Sequence, residues 1–216
     1  MKKLLLPLFL LGGLFAHADI VVEQKIESAQ MNGNMVMKIK GDQARMDMPK
    51  TAAGEMSVVM DFKTGNMTVL IHGQKMAMKQ NLDAAKKQAE AQQKASGIDP
   101  AKIEKPKSTG KKEKVGDWDT EIFETTMADS KVIMWVAKDF PNYKTVQDQL
   151  NKLSAATGGG GGFDPSKFDL GGMIVKTEMN MPAAGGKVVS TLVKAKEEAV
   201  ADSEFKLPAD YQTIGQ

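Results

Sequence analysis

The sequence predicts a mainly β (α+β) fold: one curved antiparallel sheet, a half-barrel, with helices packed on its concave side. Three observations carry this. Short amphipathic runs alternate apolar and polar residues from 19 to 79, turn-forming stretches separate them at regular intervals, and only two segments show helical spacing. Strands that follow one another across tight turns build a meander rather than βαβ units.

The first eighteen residues read as an export signal. Lys2 and Lys3 precede an apolar run, "LLLPLFLLGGLF", and Ala16-His17-Ala18 is a small-x-small cleavage site, so cleavage is expected after Ala18. The run is shorter than the roughly 20 apolar residues of a membrane helix, and no later stretch reaches that length. The expected location is the periplasm, with secretion beyond it as the alternative, and no transmembrane segment after cleavage.

Residues 19–216 then form a single domain. "DIVVEQKIES", "NMVMKIKG", "ARMDMP", "EMSVVMDF", "MTVLIHG" and "QKMAMK" are strands, punctuated by "NGN", "GD", "PKTAAG" and "KTGN". "NLDAAKKQAEAQQKAS" is a surface helix with Asn81 or Asp83 as its cap. Residues 97–114, "GIDPAKIEKPKSTGKKEK", read as a flexible basic linker. Strands resume at "VGDWDTEIFETTM" and "KVIMWVAKDF". Residues 142–154 then place Tyr143, Val146, Leu150 and Leu153 on one helical face. A glycine-rich loop at 157–163 leads to the strands "GMIVKTEMNMP" and "GKVVSTLVKAKEE" and the tail "EFKLPADYQ". The total is about ten or eleven strands against two helices.

Composition narrows the function. The net charge of +2 falls to zero once Lys2 and Lys3 are removed, so nothing draws the chain to nucleic acid. The absence of cysteine removes disulfides, thiolate chemistry and the acceptor of a lipoprotein anchor. No nucleophile elbow, zincin or Walker sequence occurs. His72, the one histidine left after cleavage, stands at a strand end and reads as a surface residue. In "DWDTE", Asp117, Asp119 and Glu121 share a strand face, which reads as solvated rather than as a cation site. The expectation is a protein that is not an enzyme and that uses no cofactor and no metal.

The distinctive feature is methionine at every second position, Met35 and Met37, Met46 and Met48, Met76 and Met78, Met179 and Met181, with Met56 and Met60 four apart on one strand face. Side chains at i and i+2 share a strand face, and lysine, arginine and acids occupy the other. Three readings are open. The thioethers are plain core, or they line a deformable apolar cavity, or they bind copper(I), for which soft sulfur ligands are suited. Core packing weighs most among them and metal least.

"ADIVVEQKIES", "GDQARMDMP", "MDFKTGNMTVLIHGQKMAMK", "TGKKEKVGDWDTEIFE" and "EFKLPADYQ" together resemble an exported bacterial domain-of-unknown-function family, number 4412. The chain is also distantly similar to the periplasmic lipoprotein carriers and their outer-membrane receptors. That similarity implies an incomplete antiparallel barrel, capped by helices, around an acyl-chain cavity. The function expected on this basis is a non-enzymatic binding or carrier protein for an acyl chain, lipid or lipoprotein tail. A copper(I)-binding protein and a structural envelope protein without a small ligand are the alternatives. The cavity candidates are the ten methionines named above.

Overall fold

The computed structural model describes residues 19–52, 54–95, 103–127, 130–158, 168–181 and 185–215. The expected signal segment lies outside them. So does most of the glycine-rich stretch, of which Thr157 and Gly158 are described at a helix end.

Among the described residues the chain folds as one open, curved twelve-stranded sheet with two α-helices. Its first six strands are β1 (Ile20–Glu27), β2 (Asn32–Lys40), β3 (Gln43–Asp47), β4 (Met56–Asp61), β5 (Asn66–Ile71) and β6 (Met76–Asn81). The next six are β7 (Lys107–Val115), β8 (Trp118–Met127), β9 (Ser130–Ala137), β10 (Met173–Met181), β11 (Gly186–Glu197) and β12 (Gln212–Ile214). Across the sheet the order is β12-β6-β5-β4-β3-β2-β1-β11-β10-β9-β8-β7. All pairings are antiparallel except β12 on β6, which is parallel.

The meander follows from its turns. The β2–β3 connection is the two residues Gly41 and Asp42, and Gly41 takes φ +56, which glycine adopts without strain. The first helix, α1 (Leu82–Ala95), starts directly after β6, and Asn81 is its cap: the Oδ1 accepts from the backbone N–H of Asp83 at 2.8 Å and of Ala84 at 3.3 Å. The second, α2 (Tyr143–Thr157), ends at Gly158 in the left-handed region.

Curvature is visible in what the helices touch. α1 packs beside β6 and α2 beside β10, seven strand positions apart, yet the helices pack on one another. On a flat sheet those strands would stand about 34 Å apart at ~4.8 Å per strand, too far for two contacting helices to reach both. The curled face closes on a core in which Val146 and Leu153 of α2 join Ile20, Met37, Met60 and Trp135.

Two expectations are corrected here. The basic linker read over 97–114 ends sooner, because Lys107–Val115 is β7, an edge strand on β8. Lysine and glycine have low strand propensity, but an edge strand is solvated on its outer side and lysine there discourages further pairing. The tail beyond Phe205 also supplies an unexpected strand, β12.

Candidate functional site

Strand register arranges the methionine face into three rows. The first runs Ile20, Ile39, Ala44, Met60, Met67 from β1 to β5. The second runs Val22, Met37, Met46, Val58, Val69, Met78 from β1 to β6. The third is Met48, Met56, Ile71, Met76, joined by the Met48 N–H donating to the Met56 carbonyl at 2.9 Å.

Burial falls from row to row. In the first, Ile20, Ile39, Ala44 and Met60 are each at most 1% exposed. In the second, Met37 is 5% exposed, while Met46 and Val58 are partly buried against the core. In the third all four are partly buried, and Met48 and Met56 line an open cavity of about 590 Å³. The face is most deeply buried along the first row and least along the third.

The ten candidates therefore separate. Met37 and Met60 are core, with Met35 and Met46 packed against it. Met48 and Met56 line the cavity, and Met76 and Met78 are partly buried beyond the core cluster. Met179 packs in a second cluster with Val132, Met134 and Val136, apart from the first. A β-bulge in β10 between Ile174 and Lys176 interrupts the alternation that the sequence shows as continuous. Met181 ends β10. Val146 and Leu153 belong to the same buried cluster as Met37 and Met60, so those two thioethers are packed in protein.

The sheet's other face holds a network that the sequence conceals. Arg45 Nε donates to Asp47 Oδ1 at 2.7 Å, and Arg45 Nη2 donates to Ser57 Oγ at 3.1 Å. Ser57 Oγ donates to Asp47 Oδ1 at 2.6 Å. His72 lies 2.6 Å from Ser57 through Nε2 and 2.6 Å from the Tyr211 hydroxyl through Nδ1. The reading of His72 as a surface residue is thus corrected: it is partly buried and held on both ring nitrogens.

Proton counting describes what this network can do. Ser57 has one proton, given to Asp47, so His72 Nε2–H donates to Ser57, and Nδ1 shares a hydrogen bond with the Tyr211 hydroxyl. The two lone pairs of Ser57 Oγ are then taken by Arg45 and His72, and the ring nitrogen beside the serine carries a proton. In that state the Ser57 hydroxyl has its proton and both lone pairs engaged.

The same face is crossed by the C-terminal segment 198–211, which includes a short 3-10 helix, Asp202–Phe205, with Phe205 buried. Lys38 pairs with Glu204 at 2.9 Å, Lys40 with Asp202 at 2.8 Å and Lys75 with Asp210 at 2.8 Å. Arg45 Nη1 donates to the Glu204 carbonyl at 3.0 Å. Lys40 holds the Asp202 carboxyl below its ordinary value, and Lys75 does the same for Asp210.

Of the "DWDTE" acids, Glu121 is occupied by Lys138 and Ser108, which hold its carboxyl below the ordinary value, Lys138 foremost. Among the described residues no three of His, Cys, Asp and Glu gather as a metal site would require. No helix among them is long and apolar enough to cross a membrane.

Residues 21–211 match the family described as "Domain of unknown function (DUF4412)". The chain belongs to the DUF4412 family. No curated protein matches it. Among solved structures, the DUF4412 chain is similar to an uncharacterized conserved protein from Thermus thermophilus, with a TM-score of 0.50 and 5% identity over 92% of this chain and 90% of that one. It also matches a domain described as an outer membrane lipoprotein-sorting protein from Vibrio parahaemolyticus, at TM-score 0.35 and 11% identity, over 88% of this chain and 89% of that one. PNGF-II is matched at TM-score 0.39 and 11% identity over 91% of this chain, which spans 30% of that protein. The fold likeness rests on the Thermus protein.

Proposed function

We propose that this DUF4412 chain is an exported, non-enzymatic binding or carrier protein for an acyl chain or similar hydrophobic ligand. The observation that carries the reading is the graded methionine face. A face meant only as core would be closed along its length, whereas this one passes from buried Met60 through Met46 to Met48 and Met56 at an open cavity. Methionine, unbranched and polarizable, fits a surface that must accept varied apolar shapes. The cavity of about 590 Å³ lies within the range of small-molecule sites, about 300–1,000 Å³.

Copper(I) is less well served. Met37 and Met60 sit among aliphatic and aromatic side chains, where an ion would lose its hydration without gaining ligand charge. Native mass spectrometry of the purified chain, with titration of a fluorescent fatty acid, tests the proposal. A co-purified lipid or saturable uptake is expected, and an empty protein that takes up no probe overturns it.

A further inference from the structure

The cavity at the open end has two unlike walls. Met48 and Met56 belong to the methionine face, whereas Arg45, Ser57 and His72 come from the other, because the ends of β3 and β4 bring both faces to one rim. Two strands thus lead an apolar track out of the core. Ala44, Met46 and Met48 follow one another along β3 and just past it, and Met60, Val58 and Met56 do so along β4.

The polar wall has hydrogen-bond donors to spare. Arg45 has five N–H groups and uses three, on Asp47, Ser57 and the Glu204 carbonyl. Lys50 is 74% exposed and meets Glu55, itself 61% exposed, only at 3.7 Å, an ion pair of little worth in water. The Asp47 carboxylate is already engaged. Its Oδ1 accepts from Arg45 and Ser57, and its Oδ2 faces Lys38 at 3.9 Å. Glu55 lines the rim as well, so acid and base balance there, and the donors an anion would meet are the two unused N–H groups of Arg45 and the Lys50 ammonium.

We propose that this rim is the head-group subsite of a single-chain anionic amphiphile. Its tail lies along Met48 and Met56, and its carboxylate or phosphate is held by Arg45 and Lys50. The proposal rests on the carrier reading and specifies the class of its ligand. It also assigns the methionine track a direction, with the apolar end of the guest toward the core and the charged end at the strand termini.

The test uses the chain from Asp19 onward loaded with the neutral probe N-phenylnaphthylamine. Hexadecanoate, hexadecyl phosphate and hexadecyltrimethylammonium are then compared as displacers. Both anions should displace the probe at about tenfold lower concentration than the cation, as expected for one charge-assisted contact. Preference for one anion alone over the cation supports the proposal and names the head group. Lys50→Glu, at an exposed position that leaves the fold intact, should remove the preference while the neutral probe still binds. Equal displacement by anions and cation, with the probe bound, overturns the subsite and leaves the carrier reading standing. A chain that never binds the neutral probe overturns both.

Discussion

Ser57 is 2% exposed in the middle of a sheet, where an unpaired hydroxyl would cost more than a hydrogen bond returns. It is tolerated because Arg45, Asp47 and His72 satisfy it completely, and His72 in turn connects it to Tyr211 of the C-terminal segment. Removing the far end of this network should cost less than removing its centre. Tyr211→Phe deletes one hydrogen bond, that to His72 Nδ1, and should lower stability by about 1 kcal/mol. His72→Ala strands both Ser57 Oγ and the Tyr211 hydroxyl and should cost about 1–3 kcal/mol. Urea unfolding midpoints measure both. If the two variants unfold with the wild type, the network is not what holds the segment to the sheet. None of this was legible in the sequence. Arg45, Asp47 and Ser57 read as solvent-facing polar positions of amphipathic strands, and Tyr211 is 139 residues from His72. Alternation reports which face a side chain takes, not what later chain will cover that face.

At the scale of elements, β1 to β6, β8 to β11 and both helices stand where periodicity and turn chemistry put them. Their signals are local: alternation, a two-residue turn at Gly41-Asp42, and a cap at Asn81. The elements missed, β7 and β12, are the two edges of the sheet. An edge strand has one partner and a solvated flank, so its sequence need not alternate, and β12 is three exposed residues held by its neighbour β6. The covering segment 198–211 is fastened by ion pairs, and this gives it a pH dependence. Asp202 and Asp210 titrate lower in the folded chain than in the unfolded one, because of Lys40 and Lys75. Such carboxylates stabilise the fold above their unfolded value and lose that contribution as pH falls through the depressed folded value. The anchoring should therefore be intact at neutral pH and weaken below about pH 4. Amide exchange at Gln212, whose N–H donates to the Lys75 carbonyl at 2.8 Å, should accelerate over that window, after correction for intrinsic rates. Asp202→Asn with Asp210→Asn should flatten the response. Both pairs are solvent-exposed, so the effect should shrink as salt is added.

For the whole molecule, the sequence establishes that the methionines share faces, but not how far along the sheet the core extends. That depends on where the helices land, and Val146 and Leu153 of α2 join the cluster that holds Met37 and Met60 but not Met48, Met56, Met76 or Met78. The difference is testable through the chemistry of sulfur. Peroxide converts a reachable thioether to a polar sulfoxide, which a packed core excludes. Met37, 5% exposed, and Met60, 1% exposed, should resist mild oxidation, while Met48, Met56, Met76 and Met78 should react first. Peptide mass spectrometry gives the order site by site. If the open rows hold the ligand, uptake of a fluorescent fatty acid should fall in step with oxidation of Met48 and Met56, before any loss of the folded state. Bound ligand should slow oxidation at those two positions and leave Met76 less affected, because Met48 and Met56 line the cavity. Uniform reactivity across all the methionines would mean that the face is not graded, and with that the structural basis for an open ligand end would fail. Selective oxidation without loss of uptake would place the guest elsewhere on the molecule.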